Sequence, residues 1–364
     1  MVKITTVKSW SENLELTRPY SIAYNTFDSV ENVFVYLQLA DGKYGLGAGS
    51  PADLVTGESL DDSKSILADK LPELLVGKDV RLIQEHCRNM EKQMSKTPAA
   101  RAAVDIALHD ALSKFLNIPL VDMLGRVHQA LPTSITIGIK SLEESLAEAE
   151  EYIGRGFRIL KVKTGKSVEE DVELVNKMRE EIGSQIRIRV DANQGYSASE
   201  LQAFIQRTSE LDIELVEQPL KDNDNQGMFD VTEEIRKQCA ADESLHNPAD
   251  ALKLAANPQA FGIYNIKLMK CGGVNAGMQI AEIANLAGID LMWGCMDESI
   301  VSITAALHAA LASPATRYLD LDGSLDLARD LVTGGFVLED GYLGITDQAG
   351  LGINMTEGNI HHEG

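Results

Sequence analysis

Three acidic residues follow short apolar stretches at nearly even intervals along the chain. Asp191 ends RIRVD, Glu217 ends IELVE and Asp242 follows CAA, so that neighbouring members lie about 25 residues apart. This interval suits one strand, one helix and two loops of a repeating β/α barrel, which would bring the carboxylates to the same end of three successive parallel strands. Their charges repel one another unless a hard cation lies between them, and carboxylate oxygens suit Mg²⁺. The sequence therefore predicts a site for one Mg²⁺ ion.

Lysines lie at the ends of two other predicted strands. Lys161 and Lys163 end the second strand, and because side chains alternate along a strand both face the same way, into the barrel. Lys267 ends the sixth strand, four places around a ring of eight, so that Lys163 and Lys267 face each other. A lysine is a useful base when a neighbouring positive charge lowers its pKa, and Lys161 supplies such a charge beside Lys163. Two opposed acid/base groups predict a 1,1-proton transfer, which is a racemisation or an epimerisation.

The eighth predicted strand ends in a further acidic pair, Asp320 and Asp322. Taken singly, each residue has an ordinary interpretation, since lysines at strand ends are usually solvated and Asp-x-Asp is usually a turn or a helix cap. Ionisable groups at six of eight strand ends are harder to explain, because such a cluster costs desolvation free energy unless its charges pair or bind a ligand. Arg189, one layer below Asp191, is interpreted as a structural partner of a carboxylate.

Alternating strands and helices must position these residues. From about residue 132 onwards, eight short strands alternate with helical patterns, which is typical of a closed parallel barrel because parallel neighbours need crossover helices. The pattern of the residues before about 132 predicts a meander of strands followed by three helices, which is an α+β domain. A glycine-rich C-terminal stretch predicts loops and a hairpin that fold back onto that domain. Residues 45–49 (GLGAG) resemble a dinucleotide loop, but Ser50 and Pro51 follow where a helix is required, which argues against a nucleotide site.

Composition excludes several classes of partner. The chain has 364 residues and a net charge of −22, from 33 basic and 55 acidic residues, which argues against nucleic acid and anionic membrane surfaces. The first residues contain no apolar h-region and no run of 18 apolar residues occurs, so we expect neither a secretory signal nor a membrane span. The four cysteines (Cys87, Cys239, Cys271 and Cys295) show no CxxC spacing, which favours reduced thiols and a cytoplasmic location.

As a set, these motifs resemble the enolase superfamily, within the muconate-lactonizing-enzyme-like subgroup, over essentially the full chain. The motifs are Lys161-x-Lys163, Asp191-Ala-Asn193, Glu217-Gln-Pro219, Ala241-Asp242-Glu243-Ser244 and Lys267-Leu-Met-Lys-x-Gly272-Gly273. The resemblance implies an α/β fold, a modified TIM barrel of the (β/α)7β type over residues 126–324. An α+β capping domain would consist of residues 1–125, completed by residues 325–364.

The same resemblance implies roles for the charged residues. The three carboxylates described first would hold one Mg²⁺ per subunit. Lys163 and Lys267 would be the catalytic base and acid, and Lys161 would assist at the substrate carboxylate.

Within that subgroup, Asp320-Leu-Asp322 is similar to the motif of dipeptide epimerases. In such enzymes the acidic pair binds the α-ammonium group of the dipeptide while the metal binds its C-terminal carboxylate, and the C-terminal α-carbon is inverted through an enediolate. Thr136, Cys295 and Asp297 match positions that contact substrate. The resemblance therefore implies an isomerase that acts on a dipeptide, in a family that commonly assembles into homo-oligomers.

One position departs from the L-Ala-D/L-Glu epimerase pattern. Where enzymes that accept a glutamate side chain carry an arginine in the capping domain, the alignment puts Asn25, with Tyr20, Tyr24 and Phe27 nearby. Without a cation, a second carboxylate would bind poorly in a mostly apolar environment. We therefore expect Asn25 to contact substrate, and small or hydrophobic dipeptides of the Ala-Ala or Ala-Val type to be preferred. The alternative is that Arg18 reaches the same place.

Other functions are compatible with the same scaffold. N-acylamino acid racemase, o-succinylbenzoate synthase and muconate cycloisomerase would use the same lysines and metal, but the tails of their substrates are uncharged or anionic and would lie unfavourably beside Asp320 and Asp322. A mandelate-type dehydratase is disfavoured, because Trp293-Gly294-Cys295 ends the seventh strand without a histidine. A non-catalytic solute-binding barrel is the remaining alternative.

Replacing both Asp320 and Asp322 by asparagine separates these alternatives. We expect the double variant to lose dipeptide turnover, because the α-ammonium group loses its counter-charge. Racemisation of an N-acylamino acid, if the protein performs it, should be spared because that substrate carries no α-ammonium group. Turnover of both substrate types by the wild type and the variant is the measurement, and equal loss on both would contradict the assignment.

Overall fold

The structure, a computed structural model, describes residues 2–18, 20–22, 25–27 and 29–356, with the backbone alone for residues 20–22 and 25–27. Its N-terminal part begins as a strand meander. The strands are β1 (Ile4–Asn13), β2 (Tyr20–Ile22), β3 (Asn25–Phe27), β4 (Glu31–Leu39) and β5 (Tyr44–Gly49). β1, β4 and β5 form one antiparallel sheet, and β2 pairs with β3.

Helices follow and cover this sheet. They are α1 (Asp53–Thr56), α2 (Leu60–Leu75), α3 (Ile83–Gln93), α4 (Pro98–Leu116) and α5 (Leu120–Leu124). The predicted α+β domain is confirmed, with α2, α3 and α4 as its three predicted helices. α4 lies so close to β5 that a Cβ at Gly45 would stand 2.0 Å from the carbonyl oxygen of Ala107, and one at Gly47 1.8 Å from that of Ala103. Close helix packing therefore accounts for the glycines of GLGAG.

Eight parallel strands form the second part of the chain, after the short strand β6 (Ala130–Pro132). They are β7 (Ile135–Ile137), β8 (Ile159–Lys163), β9 (Arg187–Asp191), β10 (Ile213–Glu217), β11 (Cys239–Ala241), β12 (Ile263–Lys267), β13 (Asp290–Gly294) and β14 (Thr316–Asp320). Their order in the sheet is their order in the chain, and a bridge from Thr133 to Leu319 brings the two ends of the sheet together. The predicted barrel is therefore confirmed.

A helix lies in each of the seven connections between these strands, which is the (β/α)7β arrangement. The helices are α6 (Leu142–Gly154), α7 (Val168–Ile182), α8 (Ala198–Arg207), α9 (Glu233–Lys237), α10 (Pro248–Leu254), α11 (Leu268–Cys271), α12 (Val274–Ala287) and α13 (Ile300–Leu311). Serines begin four of them: the side chains of Ser141, Ser167 and Ser197 each accept the N–H group three residues on, and that of Ser299 accepts the N–H group of Val301. No helix in the described ranges is long and apolar enough to cross a membrane.

The C-terminal stretch contacts both parts of the molecule. Its strands are β15 (Val332–Gly334), β16 (Phe336–Glu339), β17 (Tyr342–Ile345) and β18 (Ile353–Met355). β17 pairs with β6, whereas Leu327 bridges to Leu16 and the N–H group of Leu351 donates to Asp110 of α4 at 2.9 Å. We keep the domain limits 1–125, 126–324 and 325–364 as a proposal.

An aspartate of the N-terminal domain joins it to the barrel. Oδ1 of Asp105, on α4, accepts hydrogen bonds from the N–H groups of Val274 at 2.6 Å and Asn275 at 3.3 Å, at the beginning of α12. These groups lack partners inside the helix, and a carboxylate is favourable there. A second contact connects Ser50 Oγ to the carbonyl oxygen of Asp297 at 3.0 Å. The N-terminal domain is thus held over the carboxyl ends of the barrel strands.

Arg189 occupies the barrel interior below the strand ends and is 0% exposed. Its Nε lies 2.6 Å from Glu214 Oε2, and its Nη1 donates to the carbonyl oxygen of Leu319 at 2.6 Å and to Ser134 Oγ at 3.2 Å. The guanidinium group also lies over the ring of Tyr318, 5.2 Å from its centre. Arg189 therefore has the structural role predicted for it, since it connects β9 with both ends of the sheet.

Replacing Arg189 by methionine should lower the free energy of unfolding by about 3–5 kcal/mol, because it removes the cation within the barrel from the partly buried Glu214 carboxylate and leaves the buried carbonyl group of Leu319 without its donor. Urea unfolding of the wild type and the variant measures this difference. Arg187→Met is the matched control, since Arg187 pairs with the same Glu214 at 2.7 Å but is 45% exposed. It should cost less than about 1 kcal/mol, and equal losses would contradict the role given to Arg189.

Candidate active site

The charged residues predicted from the sequence meet at the carboxyl ends of the barrel strands. Five of these side chains are almost fully buried: Lys161 on β8, Asp191 on β9, Glu217 on β10, Asp242 after β11 and Asp320 on β14. Lys163 and Lys267, which end β8 and β12, are partly exposed at the same opening. Strand alternation accounts for this convergence, because residues two apart on one strand point to one side.

Lys161 lies at the centre of this cluster. Its Nζ is 2.6 Å from Asp320 Oδ2, 3.0 Å from Glu217 Oε2 and 3.6 Å from Asp191 Oδ2. Burial acts to lower the pKa of Lys161, but the charges of Asp320, Glu217 and Asp191 outweigh it and raise the pKa well above its ordinary value. The ammonium group therefore stays protonated and draws three strand ends together.

Lys163 and Lys267 lie on opposite sides of the opening. Lys163 Nζ is 3.7 Å from Asp191 Oδ2, and Lys267 Nζ is 2.7 Å from Asp242 Oδ2. Their strands, β8 and β12, are separated by three strands in a ring of eight, which is the far side. Burial acts to lower the pKa of Lys267, whereas Asp242 and Glu217 raise it above its ordinary value. Two protonatable groups thus lie on opposite sides of one opening.

Three polar residues that the sequence interpretation overlooked hold these carboxylates. Lys270, 4% exposed, contacts both Oδ1 and the carbonyl oxygen of Asp242. Asn265 Nδ2 donates to Glu217 Oε1 at 2.5 Å, and Ser134 Oγ donates to Asp320 Oδ1 at 2.6 Å. Asn265 was detectable, because it precedes Lys267 by two positions on the same strand. Lys270 stands within a recognised motif but received no role there.

The donor set at this opening suits a hard divalent cation. Asp191, Glu217 and Asp242 offer carboxylate oxygens, and ammonium groups already stand against all three. Burial raises the pKa of Glu217 to about 8, opposed by Lys161 and reinforced by Asp191 and Asp242. No group of three or more His, Cys, Asp or Glu side chains in the described ranges is arranged so that it could hold a metal ion as it stands. The predicted ligands therefore fit Mg²⁺ in the chemistry of their donor atoms, and their role is a proposal.

Three further carboxylates, Asp297, Asp322 and Asp326, form an acidic rim on the β13 and β14 side of the opening. Burial raises the pKa of Asp297 to about 7, and Asp322 and Asp326 add to this by repulsion. The pKa of Asp322 is raised to about 6 by burial and then by Asp320, against Lys161. Burial is thus the main cause of both raised pKa values, and repulsion between neighbouring carboxylates adds to it.

Other predicted substrate contacts lie beside this rim. The N–H group of Thr136 donates to Asp322 Oδ2 at 2.7 Å, and Cys295 Sγ lies 3.2 Å from the carbonyl oxygen of Asp320. Both oxygens of the Asp320 carboxylate are engaged within the protein, so Asp322 is the more accessible member of the pair. Asn25 begins β3, but its side chain lies outside the described residues.

Arg18, the alternative contact for a substrate carboxylate, forms an ion pair elsewhere. Its Nη2 lies 3.0 Å from Oε1 of Glu151, on α6, and its Nη1 lies 3.1 Å from Oε2 of the same carboxylate. The Arg18 side chain is 60% exposed. In this structure its charge is therefore matched by Glu151.

The raised pKa of Asp297 predicts a pH-dependent stability. Its carboxyl group binds a proton in the folded chain between about pH 4 and its folded pKa of about 7, where it is ionised in the unfolded chain, so its contribution to folding weakens as pH rises. Asp297→Asn should therefore gain stability relative to the wild type across this range, by at most about 1.4 kcal/mol per pH unit. Urea unfolding at several pH values in chelator measures it, and a pH-independent difference would contradict it.

Comparison with known proteins gives matches over nearly the whole chain. The family models "Mandelate racemase / muconate lactonizing enzyme, N-terminal domain" and "Enolase C-terminal domain-like" match residues 4–125 and 144–359. An L-Lys-D/L-Arg epimerase of Desulforapulum autotrophicum is 56% identical over 97% of this chain and 99% of its own length. A hydrophobic dipeptide epimerase of Enterococcus faecalis is 35% identical over 97% and 100%.

A solved structure agrees with these matches. The dipeptide epimerase of Methylococcus capsulatus, in complex with Mg and the dipeptide L-Arg-D-Lys, superposes with a TM-score of 0.94 and is 50% identical, over 96% of this chain and 99% of its own. The family predicted from the motifs is thereby confirmed. The chain belongs to the enolase superfamily, in the group of mandelate racemase and muconate-lactonizing enzymes.

Proposed function

We propose that this protein is a Mg²⁺-dependent dipeptide epimerase, an isomerase that inverts the α-carbon of the C-terminal residue by 1,1-proton transfer. The observation that carries the proposal is the pair Lys163 and Lys267 on opposite sides of one opening lined by carboxylates. The names of relatives up to 56% identical, an L-Lys-D/L-Arg epimerase among them, support the same reaction.

The carboxylates and the lysines have separate roles in the proposed reaction. Asp191, Glu217 and Asp242 would hold Mg²⁺, which when bound supplies positive charge against the negative charge that develops on the substrate carboxylate. One lysine removes the α-proton from its side, and the other returns a proton to the opposite face. Lys161 keeps its ammonium charge between the two.

Asp322 is proposed to bind the α-ammonium group of the dipeptide. Its Oδ2 is held by the N–H group of Thr136 at 2.7 Å, which fixes the carboxylate beside the opening. A dipeptide has one charge of each sign at its two ends, and the cluster offers cation and anion partners in the matching order.

The preferred dipeptides are proposed to carry cationic side chains. The carboxylates of the acidic rim, Asp297, Asp322 and Asp326, lie close enough to repel one another, and this repulsion adds to burial in raising the pKa of Asp297 and of Asp322. A lysine or arginine side chain would relieve the repulsion through charge-assisted hydrogen bonds. The expectation of small or hydrophobic dipeptides, drawn from Asn25, stays a prediction that the experiment below tests against this proposal.

Room for a long side chain exists beside Lys163. A cavity of about 260 Å³ lies between the loops after β7 and β8 and the beginning of α7. Glu170 and Glu173 line it together with Lys166, so its wall carries both signs of charge. We propose this cavity for the side chain of the epimerised residue. Assembly into homo-oligomers and a cytoplasmic location likewise remain predictions.

Proton exchange in D₂O tests the reaction and the specificity together. We expect deuterium to enter the C-terminal α-carbon in the presence of Mg²⁺, with kcat/KM at least about tenfold higher for Lys-Arg and Arg-Lys than for Ala-Ala or Ala-Val, because one buried charge-assisted contact is worth about 1.5–3 kcal/mol. Nuclear magnetic resonance of a dipeptide panel that includes Ala-Glu measures both. Ala-Ala or Ala-Val ranking first would favour the hydrophobic alternative, and no exchange with any dipeptide would favour a solute-binding barrel.

Two sets of variants serve as controls. Lys163→Ala and Lys267→Ala should each abolish exchange for one enantiomer of the C-terminal residue, since each lysine serves one face. Asp326→Asn should lower kcat/KM for Lys-Arg but leave Ala-Ala within about twofold. An equal loss on both dipeptides would show that Asp326 acts on the fold and not on the cationic side chain.

A further inference from the structure

Gln218 directly follows Glu217 and is fully buried. Its side-chain oxygen accepts hydrogen bonds from the N–H groups of Asp242 at 3.0 Å and Ser244 at 3.1 Å. Its side-chain nitrogen donates to the carbonyl oxygen of Leu220 at 2.9 Å and to Ser244 Oγ at 2.9 Å. Two accepted and two donated bonds use the full capacity of an amide group. The loop after β10 is thereby joined to the loop after β11.

The backbone of Gln218 extends this connection to neighbouring strands. Its N–H group donates to the carbonyl oxygen of Ala240 at 2.8 Å, and its carbonyl oxygen accepts the N–H group of Gln194 at 2.8 Å. The loops after β9, β10 and β11 therefore meet at one residue. These are the loops that begin directly after Asp191, Glu217 and Asp242.

The backbone conformation of Gln218 is energetically unfavourable. Its φ is +32°, in the left-handed region that a side chain with a Cβ disfavours. Such values persist where surrounding contacts over-determine them, and they are concentrated at functional sites. Glycine would adopt this backbone without strain, but it could not make the four side-chain hydrogen bonds. The side chain is therefore the reason for a non-glycine residue here.

We infer that Gln218 is a positioning residue for the divalent cation: it fixes the backbone of Asp242 relative to Glu217, so that their mutually repelling carboxylates stay at coordination distance. The inference rests on the ligand set given under the proposed function. Lys270 and Asn265 orient the carboxylate groups themselves, whereas Gln218 holds the backbone from which the Asp242 carboxylate projects. Partners that orient metal ligands in this way typically contribute 10–100-fold to metal affinity.

Calorimetric titration with Mg²⁺ alone, without dipeptide, tests this role. Gln218→Met keeps the length of the side chain but removes all four hydrogen bonds, and should raise the Kd for Mg²⁺ by about 10–100-fold. Gln218→Glu keeps an acceptor for the N–H groups of Asp242 and Ser244 and should recover part of that affinity. At saturating Mg²⁺ the KM for dipeptide should stay within about twofold of the wild type, because Gln218 does not touch substrate.

Gln194→Ala is the matched control. Gln194 is likewise a glutamine with positive φ (+65°) in the neighbouring loop, and its side chain accepts one hydrogen bond, from the N–H group of Asp222 at 3.0 Å. Its replacement should leave the Kd for Mg²⁺ within about twofold of the wild type. If Gln218→Met does not fold, Ser244→Ala replaces it. That variant removes one of the four side-chain bonds and should raise the Kd about threefold.

Two outcomes would overturn the inference. A folded Gln218→Met that loses stability but binds Mg²⁺ within twofold of the wild type would show that Gln218 supports the fold and not the cation site. Unchanged Mg²⁺ affinity in Asp191→Asn would overturn the ligand set, and the inference with it. Because no dipeptide enters the titration, a wrong substrate assignment would leave these results as they are.

Discussion

The arrangement of the barrel mouth depends on one buried ammonium group. Lys161 Nζ lies within 3.6 Å of carboxylate oxygens from β9, β10 and β14. Buried carboxylates repel one another and lose hydration, and replacing such a central cation by a neutral group would leave uncompensated charges in a medium of low polarity. The strands that carry these acids can therefore converge because this lysine lies among them.

Along the barrel axis, the charged residues that stabilise the fold lie below those that are proposed to act on substrate. Below the strand ends, Arg189 pairs with Glu214, and its Nη1 donates to the carbonyl oxygen of Leu319 and to Ser134 Oγ. At the strand ends, burial and then the neighbouring carboxylates raise the pKa of Asp297 and of Asp322. The charge of the lower layer is thus matched within the chain, whereas the carboxylates of the acidic rim are proposed to meet the positive charge of a substrate.

Much of this arrangement followed from strand periodicity. The alternation of side chains along a strand predicted that Lys161 and Lys163 point to the same side. The spacing of about 25 residues predicted that Asp191, Glu217 and Asp242 lie at the same end of the barrel. Both predictions agree with the structure. The bounds of the short helices α9, α10 and α11 were not predicted, because each contains seven residues or fewer, too few to show a helical period.

Contacts between loops could not be predicted from strand periodicity or from spacing along the chain. The bonds of Gln218 to Asp242 and Ser244 join residues that are 24 and 26 positions apart, and no local pattern encodes them. The engagement of Asp320 by Ser134 and Lys161 depends on closure of the ring, which brings the first and last strands together. The substrate preference was hardest to predict. The preference proposed here rests on carboxylates from two loops, after β13 and β14, which come close to one another only in the folded chain.

The contact between Asp105 and the beginning of α12 has an evolutionary consequence. This carboxylate of the N-terminal domain accepts backbone N–H groups of Val274 and Asn275 in the barrel, and Gly273 leaves the room that it needs, since a Cβ there would stand 2.4 Å from its Oδ1. Other barrel loops can diversify in sequence while this contact between the domains is kept. Chimeras that exchange N-terminal domains between relatives should then assemble, provided that the aspartate and the glycine are retained, and would transfer the loops of that domain as one unit.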